Sequence, residues 1–258
     1  MIKVIRELIE YRDLIWSLTV RDLKIKYKGA ALGFLWSILH PIMTMIIMTV
    51  VFSMIVKIDV DKYPLFVLCG LLAWNFTSIS LTQATTSIIN NSLLIKKVYL
   101  PREIFPISIV VSNFIHFLIG LCVYFVLMFI FGIKFSYKFF LIFLVIPVQF
   151  IFVTGICLLF SCLDVFFRDI THILSVLIML WFYLTPVFYP IEMVPAKYLS
   201  FYIINPMAVF IHNYREILLQ NKLMNFDYYL LATLISIIFF IISYYIFIRL
   251  ERLFGEVI

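Results

Sequence analysis

The sequence predicts an all-α polytopic membrane protein with six transmembrane helices and no soluble domain. Two features of the 258-residue chain carry this prediction: 65% of its residues are hydrophobic, and only 13% are charged. A soluble domain usually has ~45–50% apolar and ~25% charged residues, and a disordered chain has low hydrophobicity and high charge. Lipid is therefore the main solvent of this chain. We expect residues 1–258 to form a single transmembrane domain.

The spans are predicted from the stretches that lie between consecutive charged residues. Six of these stretches exceed the ~18 residues that a spanning helix needs. A membrane β-barrel is excluded because its strands alternate polar and apolar residues, whereas these stretches are apolar on all sides. The predicted spans are approximately residues 32–56, 64–89, 105–131, 139–162, 171–190 and 228–248. A seventh stretch, Tyr198–Tyr214, is interrupted by Asn205-Pro206 and predicts an outer re-entrant or interfacial segment.

The positions of the basic residues predict the orientation of the chain. Most of the 20 Lys and Arg residues lie in the two termini and in the second and fourth loops. By the positive-inside rule, both termini are expected to lie in the cytoplasm. The cytoplasmic (inner) membrane is the location that the family resemblance given below implies. The net charge of +6 is explained by this basic inner face. A nucleic-acid partner is not expected, because the chain has no separate basic domain to bind one.

All Asp, Glu, Lys and Arg residues lie outside the six predicted spans. Ion-coupled carriers usually place such groups inside the bundle, and here only His116 could serve as a deep relay. A hydrogen-bonded packing role is the favoured interpretation of that histidine. The chain has no HExxH metal motif, no carboxylate pair in a span and no Gly-Lys phosphate loop. We therefore expect no enzyme, no metal site and no cofactor in this chain, so that uphill transport would need an energy-supplying partner.

The N-terminal segment 1–28 is predicted to lie at the inner interface. Within residues 2–18, an apolar stripe at helical spacing predicts an amphipathic helix whose apolar face contacts membrane lipids. A basic cluster follows directly before the first span. It could orient that span or contact anionic groups, including lipid phosphates, at the inner entrance. The cluster consists of Arg21, Lys24, Lys26 and Lys28.

The loop after the second span predicts a short cytoplasmic helix that contacts a partner. Asn91 or Ser92 can cap this helix, and Pro101 would end it. Apolar residues in a basic loop favour a protein contact over a plain linker. The predicted contact residues are Leu94, Lys96, Lys97, Tyr99, Leu100, Pro101, Arg102 and Glu103. In the fourth loop, Arg168 and Asp169 carry opposite charges and are predicted to clamp neighbouring helices on the cytoplasmic side.

Aromatic side chains are concentrated in the fifth loop and at the ends of the neighbouring spans. They are typical of an interfacial aromatic belt, and they could also form an outer gate or a stacking surface for sugar rings. Both interpretations stay open. The candidate conduit or gate residues are Phe34, Trp36, Trp181, Tyr183, Phe188 and Tyr189.

Several short motifs follow one another along the chain. They include Arg21-Asp22-Leu23-Lys24, Leu32-Gly33-Phe34-Leu35-Trp36, Pro101-Arg102-Glu103, Phe167-Arg168-Asp169-Ile170 and Thr185-Pro186-Val187-Phe188-Tyr189-Pro190. In this order they resemble the permeases of ABC-2-type transporters. Within that class, the chain is similar to the exporter permeases for O-antigen, capsule and teichoic acid.

The resemblance implies a half-transporter that dimerises with a second copy of itself. A separate ATP-binding subunit would hold ATP and Mg, and it would couple to Leu93–Glu103, whereas Arg21–Lys28 would lie at the inner entrance. The implied cargo is a polysaccharide on a polyprenyl-diphosphate lipid, with O-antigen foremost. Teichoic acid, capsule, lipid or drug export are alternatives, and an ion-coupled carrier that uses His116 is a more remote one.

Overall fold

The computed structural model describes residues 10–28, 33–98 and 100–254, with the side chains of Tyr27 and Phe34 excepted. The described residues form helices joined by turns and loops, and they contain no strand, so the predicted all-α fold class is confirmed. The first half of the expected N-terminal amphipathic helix lies outside the described residues. So do Tyr99 and the side chain of Phe34.

We number the α-helices of the described residues in chain order. They are α1 (Arg12–Tyr27), α2 (Trp36–Thr49), α3 (Tyr63–Thr85), α4 (Ser87–Asn90), α5 (Ser92–Lys97), α6 (Ile104–Ile130), α7 (Ile142–Phe166), α8 (Ile170–Leu184), α9 (Leu199–Ile204), α10 (Pro206–Leu218) and α11 (Phe226–Glu251). Helix α2 continues as a π-helix over Val50–Ile55. Short 3-10 helices lie at Gly33–Leu35, Tyr137–Leu141, Ile191–Met193 and Ala196–Tyr198.

Five helical segments of the described residues are long and apolar enough to cross a membrane, in agreement with a polytopic membrane protein. They are Trp36–Ile55, Tyr63–Thr85, Ile104–Ile130, Tyr137–Phe166 and Phe226–Glu251. The fifth predicted span, 171–190, differs: its helix α8 has 15 residues and ends at Leu184. Thr185 is extended there because the residue before a proline disfavours helical geometry. The count of six spans therefore stays a prediction.

Helix α3 is the central helix of the bundle. In its most apolar stretch 78% of the residues are buried, against 11% for the first span. Helices α2, α6, α7, α8 and α10 all pack against it. Its buried side chains include Leu65, Val67, Leu68 and Ala73. Any functional surface on α3 is therefore restricted to the narrow face that these neighbours leave uncovered.

The segment predicted to be re-entrant folds into two short helices, α9 and α10. Most of the 13 residues of α10 are buried, and the helix packs against α3, α7 and α11. Asn205 caps it, because its side-chain oxygen accepts a hydrogen bond from the Met207 backbone N–H at 3.1 Å. The same oxygen accepts from Trp181 Nε1 at 3.1 Å, and the Asn205 amide donates to Thr185 Oγ1 at 3.0 Å. The start of α10 is thereby fixed to the end of α8.

Arg215 on α10 is buried inside the bundle, although the sequence analysis places all basic residues outside the spans. Its guanidinium donates to the backbone carbonyls of Phe66 at 3.2 Å, Pro186 at 2.6 Å and Val187 at 2.5 Å. It also lies 3.5 Å from the centre of the Phe66 ring. Arg215 lies outside all six predicted spans, so the prediction for the spans is unaffected, but the sequence analysis did not anticipate a buried charge. A charge that the sequence places in a loop enters the bundle because α10 folds inward.

Gly70 on α3 lies directly beneath this arginine. A Cβ atom added at Gly70 would lie 2.8 Å from Arg215 Nη2 and 2.8 Å from the Val187 carbonyl oxygen. Both neighbours belong to the hydrogen-bonded group, so neither can move without loss of a bond. A Cβ added at Gly120 would meet Leu72 Cδ2 at 2.6 Å, the end of a flexible side chain that can change rotamer.

We expect alanine to lower the free energy of unfolding by different amounts at Gly70 and at Gly120. Gly70→Ala is expected to lower the free energy of unfolding by about 1–3 kcal/mol, the usual cost of overpacking. Gly120→Ala, the matched control, is expected to cost less because only a rotamer changes. Thermal unfolding of the two purified variants in the same detergent measures the difference. Equal losses of stability would contradict the role assigned to Arg215 and Val187.

Candidate functional site

Helix α5, in the loop predicted to contact a partner, presents an exposed apolar and basic face. Leu93 is 76% exposed and Val98 is 47% exposed, and Lys96 and Lys97 are exposed beside them. The helix ends at Lys97, before the predicted stop at Pro101. Asn91 occupies its N-cap position without capping it, and its amide donates to the Ser87 carbonyl at 2.8 Å. We call Leu93, Lys96, Lys97 and Val98 the docking face.

Other residues of the same loop turn towards the protein. The backbone N–H of Arg102 donates to the Glu251 carboxylate at 3.0 Å, and its guanidinium donates to the Glu251 carbonyl. That guanidinium also lies 5.5 Å from the centre of the Phe254 ring. Glu103 is buried and accepts from the Tyr244 hydroxyl at 3.5 Å. Arg102 and Glu103 therefore connect the loop to the end of α11.

The remaining predicted contact residues of the loop are less accessible than the docking face. Leu94 packs towards the small cluster formed by Leu18, Ile104 and Phe105. Leu100 and Pro101 are half-buried. Among the described residues from Asn91 to Glu103, the exposed ones lie between Leu93 and Val98. The contact of the loop with a partner stays a prediction.

The basic cluster that is predicted to lie at the inner entrance is on α1 and at its C-terminal end, and α1 also includes residues 12–18 of the expected amphipathic segment. The Thr19 hydroxyl contacts the Ser108 carbonyl on α6 at 3.3 Å. Arg21 pairs with Asp22 at 3.1 Å and donates to Asn91 Oδ1 at 3.4 Å. The other basic residues of the cluster, Lys24, Lys26 and Lys28, are exposed.

In the fourth loop, the predicted clamp residues Arg168 and Asp169 are exposed and form no ion pair with any described residue. A neighbouring contact connects α7 with α8 instead. Asp164 is buried and accepts from the Thr171 hydroxyl at 3.2 Å. Water solvates the exposed charges of Arg168 and Asp169 and so weakens any attraction between them. The buried carboxylate of Asp164 makes the hydrogen bond between α7 and α8.

The uncovered face of α3 is polar, which the sequence analysis missed. Between Leu71 and Thr85, the residues that are not buried are Asn75, Ser78, Ile79, Thr82 and Gln83. Thr86 and Asn90 continue the same side into α4. A lipid-facing surface would carry apolar side chains, because polar groups in hydrocarbon lack hydrogen-bond partners. This polar stripe, Asn75, Ser78, Thr82, Gln83, Thr86 and Asn90, therefore lines water or protein rather than lipid.

Two adjoining cavities lie beside the polar stripe. The inner cavity, of about 500 Å³, is lined by Arg21, Asp22, Gln83, Asn90 and Asn91 among others. The deep cavity, of about 350 Å³, is lined by Lys26, Trp36, His40, Asn75 and His116 among others. Lys26 and Asn113 border both cavities, so the two cavities lie side by side.

A hydrogen bond and a lysine determine the polarity of these two cavities. The Asn113 amide donates to Gln83 Oε1 at 2.9 Å, which holds the polar stripe against α6. The side chain of Lys26 is exposed overall, yet the nearby protein wall displaces part of its water and lowers its pKa. Among the described residues, no three His, Cys, Asp or Glu side chains are grouped to hold a metal ion. The chemistry available here is hydrogen bonding, stacking and attraction to positive charge.

The predicted outer aromatic residues form a connected cluster at the end of α8. Phe188 stacks on Phe52 with ring centres 4.7 Å apart, and its carbonyl accepts from the Tyr63 hydroxyl at 2.6 Å. The Tyr189 hydroxyl contacts the Tyr183 carbonyl at 2.9 Å and the Tyr202 hydroxyl at 2.8 Å.

The candidate aromatic residues differ in their surroundings. Trp181 packs edge-on against Trp74 at 5.5 Å inside the bundle, and Tyr183 is 60% exposed. Trp36 lines the deep cavity, together with the aromatic residues Phe76 and Phe117. The conduit role that the sequence assigns to these aromatic residues stays a prediction.

The long apolar helices define the class of α-helical multi-pass membrane proteins. Within that class, this protein has a polar face on its central helix and an exposed basic helix, α5. The family model described as "ABC-2 type transporter" matches residues 13–219. This chain therefore belongs to the ABC-2 type transporter family, and the resemblance predicted from its motifs is confirmed. It is a transport subunit, and the ATPase of such a transporter is a separate subunit that works with it.

Curated relatives cover nearly the whole chain. It is 34% identical to the O-antigen export system permease protein RfbA of Klebsiella pneumoniae, over 95% of both chains. It is 33% identical to the protein of the same name from Myxococcus xanthus, over 86% of both chains. The identity to the polysialic acid transport protein KpsM of Escherichia coli is 24%, over 86% of this chain and 88% of that one.

The hydrogen bonds between Arg102 and Glu251 predict that replacing Arg102 makes nearby backbone amides exchange hydrogen faster. Arg102→Ala removes the guanidinium bond to the Glu251 carbonyl and the contact with Phe254. Amide hydrogen exchange at the ends of this loop and of α11 is expected to speed up about tenfold, since hydrogen bonds from a charged group contribute ~1.5–3 kcal/mol. The matched control is Arg168→Ala, which changes an exposed arginine in the fourth loop. Unchanged exchange in Arg102→Ala would contradict the link.

Proposed function

We propose that this chain is the permease subunit of an ATP-driven exporter of lipid-linked polysaccharide, with O-antigen as the cargo, in the cytoplasmic membrane. The observation that carries the proposal is the polar stripe on the one uncovered face of the central helix. The 34% identity to an O-antigen export permease over 95% of both chains supports the cargo. Capsule export is the second candidate, favoured by the 24% identity to a polysialic acid transport protein.

The chemistry of the polar stripe fits a chain of sugars. Its members are amides and hydroxyls, which both donate and accept hydrogen bonds and so match sugar hydroxyls without a fixed register. None of them is ionisable, whereas pathways for ions and protons usually contain charged or titratable groups. A neutral polyhydroxylated polymer therefore suits this surface better than an ion does.

A second copy of the chain would complete the conduit. Helix α2 buries only Met45 among its side chains, and α8 buries only Leu174. Both helices expose large apolar side chains, such as Ile47 at 58% and Leu180 at 51%. Helix α2 borders the deep cavity beside the polar stripe, and α8 packs against the central helix. A symmetric dimer that covers both apolar helices would enclose the stripe between two bundles. The outer aromatic cluster would then lie at one end of the conduit as a gate.

The docking face is the proposed contact for the ATP-binding subunit on the cytoplasmic side, where we also place both termini. Leu93 and Val98 supply apolar area, while Lys96 and Lys97 attract an acidic partner surface. Mutation of such rim charges chiefly changes association and its salt dependence. The sequence analysis also predicted Arg102 and Glu103 as contact residues. We leave them out of the proposed contact because they bond to the end of α11, and we keep the exposed docking face.

A double charge reversal tests the docking face. Lys96→Glu with Lys97→Glu is expected to reduce co-purification of the ATPase subunit and surface polysaccharide by about tenfold or more, because like charges would face each other across the contact. The matched control is Lys134→Glu with Lys197→Glu, two exposed lysines of the predicted outer loops. Normal surface polysaccharide in the Lys96 and Lys97 variant would contradict the docking role. A gene deletion that leaves surface polysaccharide unchanged would contradict the export function itself.

A threonine pair tests the polar stripe. The Thr82 hydroxyl donates to the Ser78 carbonyl, and the Thr233 hydroxyl donates to the Tyr229 carbonyl, both at 2.8 Å. Thr82→Leu is expected to reduce export at least about threefold, the effect of losing one hydrogen-bonding site, while the ATPase subunit still co-purifies. Thr233→Leu makes the same change on α11 and should export normally. Equal export by both variants would exclude the stripe as the polysaccharide path.

A further inference from the structure

Three of the hydroxyl groups that line the inner cavity have no proton left for a molecule inside it. The side chains of Thr86, Ser87 and Ser108 each donate to a backbone carbonyl three residues earlier, at 3.4, 2.6 and 2.9 Å respectively. Because a hydroxyl has one proton to donate, these groups can only accept hydrogen bonds from the cavity. Neutral N–H donors on this wall have to come from side-chain amides.

Gln83 supplies an exposed amide from the central helix to this wall. Asn113 on α6 lies against it and is buried, with 4% of its surface exposed. The Asn113 nitrogen makes two hydrogen bonds, one to the Ile109 carbonyl at 3.1 Å and one to Gln83 Oε1 at 2.9 Å. The buried asparagine is thus bonded to its own helix and to the polar stripe at the same time.

These two bonds determine which way the Gln83 amide points. A backbone carbonyl can only accept a hydrogen bond, so the Asn113 atom that contacts Ile109 is the nitrogen. The second proton of this nitrogen reaches Gln83, and the Gln83 atom that accepts it is therefore the oxygen. The Gln83 nitrogen bonds to no described residue, so both of its protons remain for the inner cavity that this side chain lines.

A glutamine without such a contact has no fixed amide orientation, because its last torsion is broad and a half-turn exchanges the oxygen and the nitrogen. We propose that Asn113 is a positioning residue for export: it fixes the Gln83 amide so that the NH₂ group faces the inner cavity and donates to oxygen atoms of the cargo. A donor that is oriented before the cargo arrives loses less conformational freedom on binding. The inference rests on the proposed function, since it takes the polar stripe as the path.

A double-mutant cycle tests whether Asn113 acts through Gln83. Surface polysaccharide is measured in cells with equal amounts of the chain in the membrane. Gln83→Met keeps the side-chain length and removes the donor, so export is expected to fall about threefold or more, the effect of one lost hydrogen bond. Asn113→Ala should reduce export in the parent and cause no further loss in the Gln83→Met background. Equal fractional losses in both backgrounds would overturn the proposal.

Two further variants separate orientation from folding. Asn213 on α10 is also a buried asparagine, and its amide bonds to no described residue, so Asn213→Ala is the matched control and should export as the parent does. Gln83→Glu leaves the buried asparagine untouched and still accepts from it, but it offers a carboxylate oxygen to the cavity in place of the NH₂ group. It should lose as much export as Gln83→Met, and normal export by Gln83→Glu would overturn the need for a donor.

A spectroscopic measurement tests the orientation without any transport. The full chain with its ATPase subunit is labelled at glutamine and studied by solid-state NMR in lipid vesicles. The chain contains three glutamines, and the signal of Gln83 is the one that Gln83→Met removes. Its side-chain NH₂ group should be rigid in the parent and in Asn213→Ala, and mobile in Asn113→Ala. Equal mobility in the parent and in Asn113→Ala would overturn the positioning role.

The outcomes keep this inference and the proposed function apart. If the Asn113 and Gln83 variants export normally while deletion of the gene abolishes surface polysaccharide, the export function stands and the role of Asn113 fails. If deletion of the gene leaves surface polysaccharide unchanged, the proposed function fails, and with it the assignment of the donor to the cargo. The NMR signal then still decides whether Asn113 orients Gln83.

Discussion

The hydrogen bonds from Arg215 to three backbone carbonyls determine how the end of α8 and the helix α10 fit into the bundle. Where the chain leaves helical geometry after Leu184, the carbonyls of Pro186 and Val187 lose their intrahelical partners. A buried polar group without a partner costs ~1–3 kcal/mol, and hydrocarbon offers no water to replace it. The guanidinium supplies five donors in a planar fork and bonds both carbonyls, together with that of Phe66.

The need of buried polar groups for hydrogen-bond partners distinguishes two kinds of polar residue in this protein. Gln149 and Asn205 are interior amides whose bonds are made within the bundle: Gln149 donates to the Ala73 carbonyl and accepts from the Tyr214 hydroxyl. Such residues satisfy the backbone and the core. The exposed members of the polar stripe, such as Thr82 and Gln83, border open space instead. In the proposed exporter, the interior amides stabilise the bundle and the exposed polar stripe faces the cargo.

Composition predicted the fold class, because a chain in lipid forms long apolar helices whatever their packing. The order of the motifs predicted the family. The position of Arg215 could not be predicted in this way. Its partner Phe66 lies far away in the sequence. The span prediction places every residue between two spans outside the bundle, so it could not show that Arg215 is buried. The burial of Glu103 likewise depends on the distant end of α11.

Two other features were readable from the sequence, although the sequence analysis did not use them. Thr185-Pro186 indicates the end of α8, because the residue before a proline disfavours the helix. The spacing of Asn75, Ser78, Thr82 and Thr86 by three and four residues indicates one polar helical face. The search for functional residues in the spans considered ionisable side chains, so this neutral face was overlooked.

The position of the docking face suggests how a partner's motion would reach the bundle. Arg102 connects the docking loop to Glu251 at the end of α11, and α11 packs extensively along α7. At Gly155 on α7, an added Cβ atom would lie 2.9 Å from the Phe240 Cα atom of α11, so the two backbones are in close contact. Interiors packed this tightly transmit displacement rather than absorb it. In the proposed exporter, a shift of α5 by the ATPase subunit would therefore move α7 and α11 together, against the central helix that carries the polar stripe.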